Sequence, residues 1–112
     1  MKFEDIGIDG VFLITSDKHI DERGFFGRLF DKTIFEKHGL CTLYIQWSLS
    51  HNEEKGTIRG IHYQENPFEE EKLVYCVKGR IFDVLIDLRK NSTTYSKSIS
   101  MILDSQKPQL LY

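Results

Sequence analysis

The sequence predicts a mostly β protein, an antiparallel sandwich or barrel with one short helix. Three observations carry this: most segments alternate apolar and polar residues with period two, the alternating segments are short and evenly spaced, and only one segment has helical spacing. In order, strands are expected at Gly10–Thr15, Gly24–Phe30, Thr42–Ser50, Thr57–Gln64, Lys72–Val77, Arg80–Leu88 and Lys97–Leu103. The cleanest is Thr42–Ser50, where Leu43, Ile45, Trp47 and Leu49 form one face and Tyr44, Gln46, Ser48 and Ser50 the other. Lys78-Gly79 reads as a tight hairpin turn. The helix is expected over Asp31–His38: Asp31 can cap the first amides, Ile34, Phe35 and His38 share a face, and Gly39 suits a left-handed stop. Loops are expected at Asp17–Arg23, His51–Lys55, Glu65–Glu70 and Lys90–Thr94, where polar residues and turn formers collect.

With 112 residues the chain has the size of one domain, spanning residues 1–112. Fifteen Lys and Arg face seventeen Asp and Glu, a net charge of −2 without a basic block, so no nucleic-acid footprint is present. An anionic ligand must therefore be held by a local cluster of cations. No apolar run has the length of a bilayer span, and the N-terminal Met1-Lys-Phe-Glu-Asp-Ile-Gly7 lacks a signal-peptide core, which points to the cytoplasm and away from membranes. Cys41 and Cys76 lie outside any paired-cysteine motif and read as reduced thiols.

The segment Gly56-Thr-Ile-Arg-Gly-Ile-His62-Tyr-Gln64, followed by Glu71-Lys72-Leu-Val74, has the spacing of a metal-binding barrel strand but not its ligands. A metal site would need a second His at position 64 and a Glu near position 72; Gln64 and Lys72 stand there instead. No metal is expected. His62 is left to act as a proton acceptor beside positive charge, an arrangement suited to carbanion chemistry.

Further motifs join this one: Asp21-Glu-Arg-Gly-Phe-Phe26, Gln46-x-Ser48-x-Ser50, Arg59-Gly-Ile-His-Tyr-Gln64, Lys72-Leu-Val74 and Asp83-Val-Leu-Ile-Asp-Leu-Arg89. In this order they resemble the dTDP-4-dehydrorhamnose 3,5-epimerase family, over about Gly10–Tyr112. The resemblance implies a cupin-type antiparallel β-barrel or jelly roll, a homodimer, no metal or organic cofactor, and action on a nucleotide-linked 4-keto-6-deoxy sugar during synthesis of rhamnose and related surface sugars. Hydrogens on carbons 3 and 5 of such a sugar are acidified by the neighbouring ketone. An unperturbed imidazole, with a pKa of about 6.5, is largely neutral at pH 7 and can remove them. His62 is thus the implied base, with Lys72 and Arg59 stabilising the enolate oxygen. Asp83 is a secondary catalytic candidate. Arg23 and Phe26 match residues that reach across the family's dimer to hold the nucleotide, the guanidinium at the pyrophosphate and the ring by stacking. Gln46 and Ser48 match further ligand positions.

Some positions depart from the family pattern. Arg28 stands where the best-known members have Glu, and Ser48 where many have Asn, so the base or the sugar is expected to differ. The family's acid tyrosine and the aspartate that orients its histidine would lie beyond Tyr112, and the chain reads as a family member shortened at its C-terminal end. Exposed edges, dimerisation or aggregation are expected to follow. Strict alternation also places Arg59 and His62 on opposite faces of one strand, a conflict that a bend at Gly60 would relieve. Lys72 and Asp83 also read as an internal ion pair, and Glu69-Glu70-Glu71 as a solvated loop. His19, His38 and His51 read as exposed loop or helix-end residues. A binding or dimerisation module that keeps the nucleotide-sugar cradle without the proton donor is the alternative to an enzyme.

Overall fold

Alternating side chains become strands only where another segment completes their hydrogen bonds, and the computed structural model of the chain, which describes residues 1–112, sorts the expected strands by that rule. The elements run β1 (Lys2–Asp5), β2 (Phe12–Thr15), β3 (Lys18–Asp21), β4 (Gly24–Gly27), α1 (Lys32–Lys37), β5 (Val74–Tyr75), β6 (Arg80–Ile86), β7 (Ser98–Asp104) and β8 (Gln109–Leu111). They fall into two compact units, one formed by Met1–Phe30 with Glu71–Tyr112 and the other by Asp31–Glu70. No helix is long and apolar enough to cross a membrane.

The first unit holds all the strands. Its main sheet has the order β1-β2-β8-β5, every pairing antiparallel, with Leu13 and Val74 both opposite Leu111. Both faces of this sheet are apolar. On one, Ile14 is 0% and Leu110 3% exposed. On the other, Leu111 joins Cys76 and Leu103 in a core cluster packed by Ile6, Val11, Leu13, Val74, Ile81, Leu85 and Met101. Each fully buried leucine or isoleucine among them contributes about 1.5–3 kcal/mol by leaving water, and the partly buried ones less.

The ribbon β6–β7 shows how period two divides a strand pair. Ile81, Asp83 and Leu85 lie opposite Leu103, Met101 and Ile99 and face inward, while Phe82, Val84 and Ile86 lie opposite Ile102, Ser100 and Ser98 and face out. The loop that follows β6 is built around Asp87, which is buried. Its carboxylate accepts from Arg89 Nε and Nη2, both at 2.9 Å, from Ser92 Oγ at 2.5 Å and from Thr94 Oγ1 at 2.7 Å. Arg89, foremost, holds the Asp87 carboxyl far below the usual carboxylate range; burial opposes this, and the two hydroxyls add to it. Arg89 Nη2 also donates to the Asp9 carbonyl at 2.6 Å, tying the loop to the N-terminal turn.

The second unit carries α1, which forms as the sequence predicts. Asp31 accepts from the Ile34 N–H at 3.2 Å, His38 closes the C-terminus with Nδ1 2.8 Å from the Ile34 carbonyl, and Gly39 takes a φ of 70°. Phe35 is its buried anchor.

Several expected strands are corrected. Thr42–Ser50 and Thr57–Gln64 join no sheet, and alternation alone does not make a strand without a partner for its backbone hydrogen bonds. Leu43, Ile45, Trp47 and Leu49 consequently remain 75–86% exposed. Lys72–Val77 contracts to Val74–Tyr75, the part opposite Leu111 and Leu110. Lys78-Gly79 is a bend and not a hairpin turn: β5 pairs with β8 and β6 with β7, and the Gly79 carbonyl accepts from Ser105 N–H instead. The predicted loop Asp17–Arg23 is mostly strand, since β3 folds back on β4 with His19 opposite Phe26, so His19 belongs to a strand. The terminal strands β1 and β8 lie outside the predicted set.

Candidate active site

The candidate residues divide between the two units. In the second, Gly60 adopts a φ of 102°, a left-handed conformation that favours glycine, within a segment that forms no strand. A Cβ at position 60 would stand 3.3 Å from the His62 backbone nitrogen, a tight contact that a small shift relieves, so it is chiefly the positive φ that favours glycine. Arg59 is fixed by its own loop, Nε donating to Asn52 Oδ1 at 2.6 Å and Nη2 to the His51 carbonyl at 3.0 Å. The His62 side chain is solvent-accessible, as are Gln46 and Ser48. Immediately after His62, an open hollow is lined by Tyr63, Gln64, Glu65, Asn66 and Phe68.

In the first unit, Lys72 is exposed in the stretch that leads into β5, whose Val74, with the following Cys76, packs into the core cluster. Asp83 keeps step with Ile81 and Leu85, two more residues of that cluster. Desolvation among these apolar neighbours pushes the Asp83 carboxyl above the ordinary aspartate range, against a smaller opposing effect of the Val84 N–H. Asp83 thus lies on an inward strand face, whereas Lys72 is exposed just ahead of β5.

The sign of the Asp83 shift makes a prediction. A carboxyl whose folded pKa is raised weakens the fold as pH climbs from the unfolded value of about 3.9 through the folded one, and the loss persists above it. Asp83→Asn, which removes the charge but keeps the shape, should therefore raise the urea midpoint at pH 7 and flatten the fall in stability over that pH window. Denaturation curves at pH 3 to 8 measure both.

Arg23 and Phe26 are displayed on the β3–β4 hairpin. Arg23 sits at its turn, Nη2 donating to Asp21 Oδ2 at 2.5 Å, which lowers the Asp21 carboxyl pKa; the Arg23 backbone N–H at 2.9 Å adds to this. Phe26 is 68% exposed beside His19, and on the other face Lys18 Nζ lies 4.4 Å from the Phe25 ring centre. An exposed guanidinium and an exposed ring three residues apart can engage a ligand that the hairpin itself does not enclose. Arg28, at the end of this segment, accepts from Ser16 Oγ through its carbonyl at 2.6 Å. Both cysteines are free thiols, Cys76 buried and Cys41 partly so. No three His, Cys, Asp or Glu side chains come together as a metal-holding group.

Two interactions in this region escape sequence reasoning. One is the Asp87 network, whose signal is an Asp followed by Arg, Ser and Thr at two, five and seven positions. The other joins Glu71, assigned above to a solvated loop, to the Tyr112 hydroxyl, and no local pattern could reveal a contact 41 positions apart.

Antiparallel strands around an apolar interior, with one short helix in the connection, define a mostly β fold of the cupin or jelly-roll class, and solved epimerases superimpose on it throughout. The model of the dTDP-4-dehydrorhamnose 3,5-epimerase family matches residues 5–112, and the chain belongs to that family. It is 37% identical over 112 residues to the dTDP-4-dehydrorhamnose 3,5-epimerase of Sinorhizobium fredii, covering 100% of this chain and 57% of the relative. The crystal structure of the Bacillus anthracis enzyme with TDP and PPi bound matches with a TM-score of 0.92 and 34% identity over 98% of this chain and 63% of that one. The dTDP-6-deoxy-D-glucose-3,5-epimerase of Legionella pneumophila, in complex with dTDP-4-keto-L-rhamnose, matches with a TM-score of 0.88 and 31% identity over 98% of this chain and 58% of that one. The chain spans about half the length of the curated relatives it matches.

Proposed function

We propose that this chain epimerises carbon 3, carbon 5 or both of a nucleotide-linked 4-keto-6-deoxy sugar, as a cytoplasmic enzyme of dTDP-rhamnose or related surface-sugar synthesis. One observation carries the proposal: the family match runs without interruption through the segments that hold His62, Lys72 and Asp83. The same match spans both compact units, which supports their belonging to a single domain. The TDP and dTDP-4-keto-L-rhamnose bound in solved relatives support the substrate class.

In the proposed reaction His62 takes the proton from a carbon next to the ketone. The C–H electron pair moves into the ring as an enolate, placing negative charge on oxygen 4. Lys72 and Arg59 stabilise that charge, and fixed cations in a water-poor site can lower such a barrier by several kcal/mol. Return of a proton to the opposite face inverts the carbon, and return from His62 to the same face exchanges the hydrogen without inversion. Gln46 and Ser48 contact the ligand; Arg23 meets the pyrophosphate and Phe26 stacks on the base. The exposure of Ile20 and Phe26 on the β3–β4 hairpin supports a homodimer in which this arm crosses to a second copy.

The test is solvent-deuterium wash-in at the sugar carbons, followed by NMR of dTDP-4-keto-6-deoxyglucose incubated with the protein in D2O. Deuterium at carbon 3 or 5 is the expected result. Binding of the nucleotide sugar without any exchange would overturn the enzymatic reading in favour of a binding module.

A further inference from the structure

Tyr112 is locked to β2 by its backbone: its N–H donates to the Phe12 carbonyl at 2.9 Å and its own carbonyl accepts from Phe12 N–H at 3.0 Å. This continues the β2–β8 ladder beyond Leu111. From that fixed point the phenol donates to Oε2 of Glu71. The β5–β8 register, Val74 opposite Leu111, continued by one step sets Leu73 opposite Tyr112. Glu71 then lies diagonally across on the same face, within reach of a long aromatic side chain. Lys72, between Glu71 and Leu73, is exposed in the stretch just ahead of β5.

We propose that the Glu71–Tyr112 hydrogen bond is a clasp that holds the backbone ahead of β5 and thereby aims the Lys72 ammonium, making Glu71 and Tyr112 positioning residues. The β5 ladder spans only two residues and ends at Val74, so its own pairing does not hold the backbone at Lys72. A hydrogen bond to a charged carboxylate is short and strong compared with a neutral one, and its donor here is anchored at both backbone groups. The catalytic significance of the clasp rests on the role proposed above for Lys72; its existence does not.

Two measurements on the chain decide it: hydrogen exchange of the segment 71–75, and competitive acylation of Lys72 with acetic anhydride against Lys18 and Lys97 as internal standards. Tyr112→Phe and Glu71→Ala should each speed exchange of that segment by about tenfold, the loss of one hydrogen bond to a charged acceptor. Each should also change Lys72 acylation while leaving Lys18 and Lys97 unaltered. The double variant should go no further than either single one, and Glu71→Gln, which keeps an acceptor oxygen, should restore most of the protection. Glu71 is exposed, so its variants test the clasp even where Tyr112→Phe weakens the fold. Unchanged exchange and acylation in the single variants, or additive effects in the double one, would overturn the clasp. Should wild-type protein show no deuterium wash-in, the enzymatic reading falls while these two measurements still stand. With wash-in present, Tyr112→Phe should lower kcat and leave KM nearly constant, as befits a misaimed stabiliser of the transition state.

Discussion

His62→Asn should slow deuterium incorporation at carbons 3 and 5 by about 10²–10⁴-fold, the usual contribution of a positioned general base. The amide of Asn keeps the polarity and much of the shape of the imidazole but cannot accept a proton near neutral pH. His62 lies beside Gly60, and its side chain is accessible, so the substitution removes no buried packing and the fold should be retained. Affinity for dTDP should be nearly unchanged, because the proposed nucleotide contacts are Arg23 and Phe26 on a separate hairpin. Calorimetric titration with dTDP and wash-in on the same preparation measure the two effects. A variant that exchanges hydrogen at the wild-type rate would remove His62 from the mechanism.

Leu103→Ala should cost about 2–5 kcal/mol of unfolding free energy, the range for a buried leucine whose cavity cannot collapse. Leu103 is fully buried, lies opposite Ile81 on the inward side of the β6–β7 ribbon, and packs with Cys76 and Leu111 in the core cluster. Ordinary domains hold only about 5–15 kcal/mol in total, and this chain leaves the apolar stripe from Leu43 to Leu49 in water, so the loss should leave a measurable unfolded fraction at 25 °C. The adjacent Ile102 supplies the contrast. It faces outward at 57% exposure, and Ile102→Ala should shift stability by no more than about 0.5 kcal/mol. Urea titration followed by circular dichroism reads both variants, and equal losses at the two positions would contradict the inward and outward assignment.

Helix α1 and the β6–β7 ribbon were legible because their determinants are local. Asp31, Phe35, His38 and Gly39 carry a cap, an anchor and a stop within nine residues, and Arg80–Ile86 pairs with Ser98–Asp104 in the phase that alternation predicts. Thr42–Ser50 has cleaner alternation than either ribbon strand but forms no ladder, since a strand also requires a neighbour. The reverse holds for β3, whose Lys18-His-Ile-Asp21 has little strand pattern and is made extended by its pairing to β4 through the Glu22-Arg23 turn. At Gly60 the structure has a positive φ, but the strand whose alternation a bend there would have relieved does not form. The desolvation of Asp83 and the partnership of Glu71 with Tyr112 were not legible.

Residue order was enough to establish the family, the predominance of β structure and the single helix, because side-chain chemistry and short-range periodicity are properties of neighbours along the chain. The tertiary structure decided which strands acquired partners, which faces became dry and which carboxylates were held by cations or hydroxyls. Hydrogen-bond pairing and desolvation depend on groups far apart in sequence, and those meet only once the chain has folded.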